Sequence, residues 1–192
     1  MSEEQGATRW IAAGGPAEDP VWVAVEAAAT DGRLLWYGEG AARAGAAPAP
    51  AAAQRWGARL DAAPEPTLHP GAGSGYAGAP ALEFLRGDGS WRFVARRAVL
   101  ESREDRQGST ASLQRADAAA GLLLETELHL DRASGALRLA STLENTAATP
   151  VELRWLAVAT VPLPFWVDHV VEPLGDWCGE FRPVGAPLPA TA

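Results

Sequence analysis

The clearest hydrophobic pattern in the chain is a strict alternation from Leu122 to Asp131. Four leucines and a threonine fill every second position, and two glutamates and a histidine lie between them. Because successive side chains of an extended strand point to opposite faces, this period of two predicts a half-buried β-strand. The same alternation returns over residues 137–143, after the turn-forming residues 131–135, so the two runs are predicted to form a hairpin.

A third run extends from Val151 to Val161, after a second turn at residues 145–150. It begins with alternating polar residues and becomes apolar on both faces from Leu156 onward. Strands with two apolar faces lie in the middle of layered cores. We therefore expect the three runs to form a meander of consecutive antiparallel strands, with the end of the third run buried.

Shorter runs earlier in the chain also have the composition of strands, and turn-forming residues separate them. Glycine and proline, 20 and 15 residues of the chain, punctuate these runs and argue against long helices. The predicted fold is therefore mostly β, a large antiparallel β-sandwich in one domain over residues 1–192. The runs are predicted to pair as two hairpins, Val21 to Ala28 with Arg33 to Tyr37 and Ala81 to Leu85 with Trp91 to Glu101.

One long segment does not fit this pattern. Residues 41–56 are mostly small, carry Pro48 and Pro50, and show no apolar period. They are predicted to form a surface loop or a short helix.

Composition and charge narrow the possible partners and location. The chain has 24 acidic and 16 basic residues, a net charge of −8, and every basic residue is arginine. Such a chain is repelled by phosphate backbones and anionic lipid, so we expect neither nucleic acid nor membrane as a partner. No run approaches the roughly 18 apolar residues of a membrane span, and the acidic start lacks the features of a secretory signal, which predicts a cytoplasmic location. Cys178 is the single cysteine, so no intramolecular disulfide is expected.

The sequence offers little conventional catalytic chemistry. Its three histidines, His69, His129 and His169, are forty or more residues apart and lack the spacing of metal ligands. Nucleophile elbows and phosphate-binding glycine loops are also missing from the sequence. The glutamates of the alternating runs lie on polar strand faces, and no pair of them is distinguished as the acid and base of a glycosidase. We predict no catalytic residue, no metal and no cofactor.

The eight tryptophans are the unusual feature of the composition. Trp22, Trp91 and Trp155 fall within predicted strands, where packing or an interface accounts for them. Trp177 instead lies in a polar, glycine-containing stretch from Leu174 to Pro183.

This stretch resembles a signature of the α-galactosidases of glycoside hydrolase family 36. The N-terminal domain of that family carries a Gly-x-Trp-x-x-Glu segment followed by Pro-Leu, matched here by Gly175, Trp177 and Glu180 and then by Pro187-Leu188. Three further landmarks resemble the family and occur in the family's order. They are an early strand ending in an aromatic residue and glycine (Arg33 to Gly38), a glycine-rich segment ending in Pro-Ala (Pro70 to Leu82), and a Leu-x-Asn-x turn (Leu143 to Thr146).

The resemblance implies an N-terminal supersandwich, similar to galactose mutarotase, that precedes a catalytic (β/α)-barrel absent from this sequence. The family's catalytic aspartates lie on that barrel, so the chain alone is expected to be inactive. The implied partners are the barrel of the parent enzyme, other copies in a homo-oligomer, and oligosaccharides with terminal α-linked galactose. The family's supersandwich continues beyond the tryptophan segment, so we expect this sequence to be truncated at its C-terminus.

The resemblance also suggests roles for individual residues. It implies that Asp61 and Tyr76 contact substrate and that Trp177 and Glu180 contribute to the inter-domain contact. Asp176 and Gly179 depart from the residues common at these places in the family.

A rival hypothesis is a self-contained carbohydrate-binding or mutarotase-like sandwich. In this hypothesis Trp56, Trp166 or Trp177 stacks on sugar. A mutarotase-like enzyme also needs a histidine and a carboxylate that converge in one cleft as base and acid. His69 or His169 within about 3.5 Å of a pocket carboxylate would favour this rival.

Overall fold

The computed structural model describes residues 8–27, 30–39, 67–71, 79–161, 169–176 and 179–187. These residues form eleven strands and no helix, in antiparallel sheets, which confirms the predicted fold class. The chain divides into two compact units, Met1–Val161 and Pro162–Ala192. The strands are β1 (Thr8–Gly14), β2 (Val21–Ala27), β3 (Gly32–Glu39), β4 (Leu82–Arg86), β5 (Ala98–Glu104), β6 (Gly108–Asp117), β7 (Leu122–Asp131), β8 (Leu137–Asn145), β9 (Val151–Leu156), β10 (His169–Asp176) and β11 (Gly179–Pro187).

The described residues of the first unit form three antiparallel sheets. One sheet contains β1, β2 and β3, a second contains β5 to β8 in sequential order, and β4 pairs with β9 in a third. The main core contains Trp10 and Val25 from the three-stranded sheet and Leu113 and Leu128 from the four-stranded sheet. Two antiparallel sheets that share an apolar core in this way form a sandwich.

A smaller core lies between the four-stranded sheet and the β4–β9 pair. Leu82 and Phe84 of β4 pack there with Ala120 and Leu122, at the start of β7. The inner face of β7 therefore contributes to both cores, one near each end of the strand. This is possible because β7 is ten residues long, about 33 Å at 3.3 Å per residue.

Strand β7 is the element that the sequence predicts best. Every second residue from Leu122 to Leu130 is buried, as the alternation requires. β7 pairs with β8, which confirms the predicted hairpin, and Gly135 in the connecting turn adopts a φ of +70°. The predicted hairpin of β2 and β3 is confirmed as well.

The prediction of a three-stranded meander is wrong, because β9 pairs with β4 rather than with β8. The reason is Arg86 at the end of β4. Its guanidinium donates to the Thr149 carbonyl at 3.0 Å and to Asn145 Oδ1 at 2.9 Å. These bonds tie the turn after β8 to β4, and Val151 at the start of β9 then lies opposite Arg86.

The predicted hairpin of residues 81–85 with residues 91–101 is also wrong. β4 pairs with β9, while β5 begins only at Ala98 and pairs with β6. Between them, the amide of Val94 donates to Asp117 Oδ2 at 2.6 Å. The Val94 amide therefore forms its hydrogen bond with a side chain and not with the backbone of a neighbouring strand.

The third predicted run ends earlier than its apolar composition suggests. β9 stops at Leu156, and the next amides bind other segments, with Thr160 N donating to the Leu68 carbonyl at 2.6 Å. Val158 is 51% exposed and Val161 is 43% exposed, so the prediction that this end is buried is wrong.

The second unit contains a single described hairpin, formed by β10 and β11. Its register extends from His169 opposite Pro187 to Asp176 opposite Gly179, with an irregularity between Leu174 and Asp176. The family-like residue Gly175 occupies this irregular position. Glycine suits such a bulge because it has no Cβ to place.

A matched pair of glycines in the turn after β4 allows a test of backbone strain. Gly89 has a φ of +84°, Gly87 lies outside the left-handed region, and an added Cβ at either position meets no atom within 4 Å. We expect Gly89→Ala to lower the free energy of unfolding by about 1 kcal/mol, because an L-residue disfavours this conformation. Gly87→Ala should change it by less than about 0.5 kcal/mol. Urea denaturation measures both variants, and equal losses would contradict the assigned strain.

Candidate functional site

The structure describes only part of the site predicted from the sequence. Asp61, Tyr76 and Trp177 lie outside the described residues, as do residues 41–56. Glu180 lies in β11, directly after the paired positions Asp176 and Gly179. The roles assigned to these four side chains therefore stay predictions.

Five polar side chains inside the first unit gather in one place, which we call the buried polar cluster. It consists of Asp31, His69, Arg115, Thr126 and Ser141. Asp31 immediately precedes β3, and the other residues except His69 come from the inner faces of β6, β7 and β8. The cluster thus joins elements of the two main sheets.

An ion pair forms the first half of the cluster. Arg115 Nη1 lies 2.5 Å from Asp31 Oδ1, and the two side chains are 2% and 19% exposed. Burial raises the pKa of Asp31, and the charge of Arg115 opposes this shift. Burial also lowers the pKa of Arg115, and the charge and hydrogen bond of Asp31 oppose this shift. Arg115 Cζ lies 6.0 Å from the centre of the Phe93 ring, within range of a cation–π contact.

His69 forms the second half of the cluster and is only 4% exposed. Its Nε2 lies 3.2 Å from Ser141 Oγ, whose own hydroxyl donates to the Val158 carbonyl at 2.6 Å. The ring therefore donates through Nε2, and within the described ranges Nδ1 forms no hydrogen bond of good geometry. Burial, followed by the charge of Arg115, lowers the pKa of His69 to about 4. The backbone carbonyls of Val158 and Ala157 favour the protonated ring and partly oppose the lowering of its pKa. A neutral and enclosed ring of this kind is poorly suited to general-base catalysis at neutral pH.

The rival mutarotase-like hypothesis requires a histidine and a carboxylate in one cleft. The carboxylate of the cluster, Asp31, binds Arg115 and the Gly32 amide, and within the described ranges no carboxylate is hydrogen-bonded to His69. The cluster therefore does not supply the acid–base pair that this rival needs.

The outer face of the four-stranded sheet carries a shallow polar depression. Thr110 Oγ1 lies 2.9 Å from His129 Nδ1 there, and Glu127 lies between Arg103 and Arg138 at 3.3 Å from each. Two aspartates at its rim cap turns, since backbone amides at Gln107 and at Ser134 lower the pKa of Asp105 and of Asp131 respectively. In the part of the chain that the structure describes, no group of three or more His, Cys, Asp or Glu side chains could hold a metal ion.

Arg86 is a structural residue that sequence reasoning missed. Besides its bonds to the turn after β8, its Nε donates to the Ala120 carbonyl at 2.7 Å and its Nη2 to the Gly121 carbonyl at 3.1 Å. Asn145, the asparagine of the family-like Leu-x-Asn-x turn, donates to the Thr149 carbonyl at 2.9 Å. The presence of Asn145 in this family-like turn was the sequence feature from which specific partners of the turn could have been expected.

The tryptophans assigned to packing or an interface differ in exposure. Trp22 is half-buried in β2, whereas Trp91 is 53% exposed and Trp155 is 54% exposed. Of these three tryptophans, only Trp22 packs to any large extent within the described structure. The other two present an aromatic surface to solvent, as interface residues do.

We expect acidification to destabilise the fold through His69. The unfolded chain takes up a proton near pH 6.5 and the folded chain only near pH 4, so between these values the unfolded state binds more protons and stability falls as pH falls. The full shift corresponds to at most about 3 kcal/mol, and the raised pKa of Asp31 acts in the opposite direction and reduces the net loss.

Urea unfolding at a series of pH values from 7 to 4 measures this effect. The His69→Gln variant should show a flatter dependence on pH, while the exposed substitution Arg106→Gln should leave the dependence as it is. Identical slopes in His69→Gln and the parent chain would contradict the assignment.

Comparison with known proteins places this architecture in a family. The family model described as the glycosyl hydrolase family 36 N-terminal domain matches residues 31–191. Among solved structures, the chain is similar to a variant of the GH36 α-galactosidase AgaA from Geobacillus stearothermophilus, crystallised with 1-deoxygalactonojirimycin, at a TM-score of 0.70 and 16% identity. The likeness covers 94% of this chain and 28% of that enzyme, which at this identity shows a shared fold. Among curated proteins, none matches the chain.

The described residues contain no helix that is long and apolar enough to cross a membrane. The matched region of the family model covers most of the chain. It includes strands β3 to β11, Arg86 with its hydrogen-bond partners, and the buried polar cluster. The chain therefore belongs to glycoside hydrolase family 36, in which it corresponds to the N-terminal domain.

Proposed function

We propose that this chain is the non-catalytic N-terminal domain of an α-galactosidase that hydrolyses terminal α-galactosides in cytoplasmic carbohydrate metabolism. The observation that carries the proposal is the family match over residues 31–191. The chain spans 28% of the length of the α-galactosidase whose fold it shares, which leaves most of such an enzyme to other domains.

The chemistry of the described residues supports a role without catalysis. His69 is enclosed, and the charged groups nearest to it are committed to an ion pair. On the outer face, Asp105 and Asp131 cap turns and Glu127 is shared by two arginines. A glycosidase needs two carboxyl groups available across one cleft, whereas these carboxylates have structural partners.

The proposed partner of the domain is a catalytic barrel in the parent enzyme, and the proposed assembly is a homo-oligomer that acts on oligosaccharides. Trp177 and Glu180 are proposed as inter-domain contacts because they belong to the family-like segment at the close of the β10–β11 hairpin. Asp61 and Tyr76 are proposed as substrate contacts on the family resemblance alone.

Expression of the complete open reading frame that contains this sequence tests the proposal. The complete product should hydrolyse nitrophenyl α-galactoside, and the 192-residue chain should not. A complete product without activity on α-galactosides would overturn the proposal.

A carbohydrate-binding role is the second candidate, favoured by the exposure of Trp91 and Trp155. Exposed aromatic rings can stack on the apolar face of a sugar. Titration calorimetry of the chain with galactose and raffinose, compared with the Trp91→Ala and Trp155→Ala variants, tests it. Binding heat that either variant abolishes would favour this candidate.

A further inference from the structure

A short segment between β4 and β5 exposes side chains that have no partner in the described structure. We call residues 91–97 the arginine–tryptophan segment. Over residues 89–100 the chain carries three arginines and no acidic residue, although one residue in eight of the whole chain is acidic, 24 of 192. The segment itself is therefore basic, between the acidic residues Asp88 and Glu101, on a protein of net charge −8.

The backbone of this segment is held firmly in place. The Val94 amide donates to Asp117 Oδ2 at 2.6 Å, Ala95 is buried, and Phe93 packs against the smaller core. The amide of Arg86 donates to the Ser90 carbonyl at 2.9 Å directly before the segment. Because the backbone is anchored, the positions of its side chains are partly fixed before binding. Less conformational entropy is therefore lost when a partner binds.

The outward side chains of the segment combine charge with apolar surface. Trp91 is 53% exposed and Val94 is 52% exposed, and Arg92, Arg96 and Arg97 are exposed beside them. None of these three guanidinium groups forms an ion pair within the described ranges. Most other arginines there do have partners, for example Arg132 with Glu104 and Arg154 with Glu152.

Three positive charges beside exposed apolar side chains favour some classes of binding partner over others. The same patch of a second copy would bring like charges together, and a nucleic acid would be repelled by the net charge of the domain. A neutral sugar carries no charge that could pair with the three guanidinium groups. It could stack on Trp91, but it would leave the arginines and Val94 without matching groups. Tryptophan and arginine are, by contrast, the residues that contribute most binding energy at protein interfaces.

We propose that the arginine–tryptophan segment docks a protein surface in which carboxylates surround an apolar pocket, and that the catalytic domain of the parent enzyme supplies this surface. This inference rests on the proposed function and adds to it the part of the domain that makes the contact. Trp91 and Val94 fill the apolar pocket, and the three arginines pair with the surrounding carboxylates.

Hydrogen exchange of the complete enzyme, compared with the 192-residue chain, tests the proposal. Amides of residues 91–97 should exchange at least about tenfold more slowly in the complete enzyme, whereas those of residues 103–107 should not differ. The triple variant R92E/R96E/R97E should lose this protection. R106E, an exposed arginine that also lacks an ion pair in the described structure, is the matched control and should keep it.

Circular dichroism and urea unfolding of the 192-residue triple variant establish that the charge reversals leave the domain folded. Equal exchange of residues 91–97 in the chain and in an active complete enzyme would overturn the docking proposal and leave the proposed function standing. Protection of the chain by polygalacturonate alone would also overturn it, in favour of an acidic polysaccharide. A complete product without α-galactosidase activity would remove the proposed function and, with it, the inference.

Discussion

Replacing Asp31 by alanine should lower the free energy of unfolding by about 3–5 kcal/mol. The variant leaves the guanidinium of Arg115, whose side chain is 2% exposed, inside the sandwich without a counter-charge. The cost of an unpaired buried charge, rather than the loss of one favourable contact, accounts for this size. Urea unfolding followed by circular dichroism measures it.

The double variant Asp31→Ala with Arg115→Met distinguishes this explanation from simple loss of attraction. Because methionine removes the stranded charge, the double variant should recover most of the stability that Asp31→Ala loses. Glu104→Ala is the surface control, since Glu104 and Arg132 are 69% and 54% exposed, and it should cost less than about 1 kcal/mol. Additive losses in the double variant would contradict the assignment.

Arg86→Met should also destabilise the fold, by about 3 kcal/mol or more. Arg86 is 7% exposed and donates five hydrogen bonds, to the carbonyls of Ala120, Gly121 and Thr149 and to the side chains of Asn145 and Thr149. Methionine preserves much of the volume but removes all five donors. The buried Ala120 carbonyl then loses its Arg86 donor, and an unsatisfied buried group costs about 1–3 kcal/mol. The carbonyls of Gly121 and Thr149 and Oδ1 of Asn145 each keep one other donor, so their share of the loss is smaller.

Arg154→Met provides the matched control for this substitution. Arg154 is 54% exposed, and its one partner among the described residues is Glu152, so its loss should change stability by less than about 0.5 kcal/mol. Thr149→Val removes one of the five acceptors and should have an intermediate effect. A loss in Arg86→Met no larger than that in Arg154→Met would show that Arg86 does not hold the turn to β4.

The sequence predicts strands well where one face is uninterrupted. β7 was predicted with its observed bounds because leucine and threonine fill its inner face without a break. β6 carries Arg115 and Asp117 at buried positions, so its inner face does not look apolar and the strand was not predicted. A pattern based on hydrophobicity does not detect a buried strand position when a charged residue with a partner in the core occupies it.

Strand pairing depends on contacts that local patterns do not contain. The pairing of β9 with β4 follows from Arg86, whose partners Asn145 and Thr149 are 59 and 63 residues away in sequence. A meander is the expected arrangement for consecutive strands. These distant bonds, together with the packing of Val151 and Leu156 against β4, redirect the chain. The exposure of Val158 and Val161 has the same origin, since their segment binds Leu68 and Ala81 instead of continuing β9.

The site residues named from the family resemblance stay predictions, and the buried polar cluster was not predicted from the sequence. Composition and spacing correctly indicated the family's fold class, but the buried polar cluster brings together Asp31 and Arg115 from positions 84 residues apart. The residues next to His69 in the sequence do not indicate that it is buried. Its hydrogen bond is to Ser141 of β8, which in turn binds the Val158 carbonyl in the segment after β9. The arginine–tryptophan segment was predicted as a strand, and its anchored, exposed character depends on Asp117.

Polarimetry of the purified 192-residue chain tests the central claim most directly, because hydrolysis of melibiose and mutarotation of freshly dissolved α-galactose both change optical rotation. A non-catalytic domain should leave both rates at the values of buffer alone, at neutral pH and at any protein concentration. A rate that rises in proportion to the chain, and that His69→Gln abolishes, would contradict the claim.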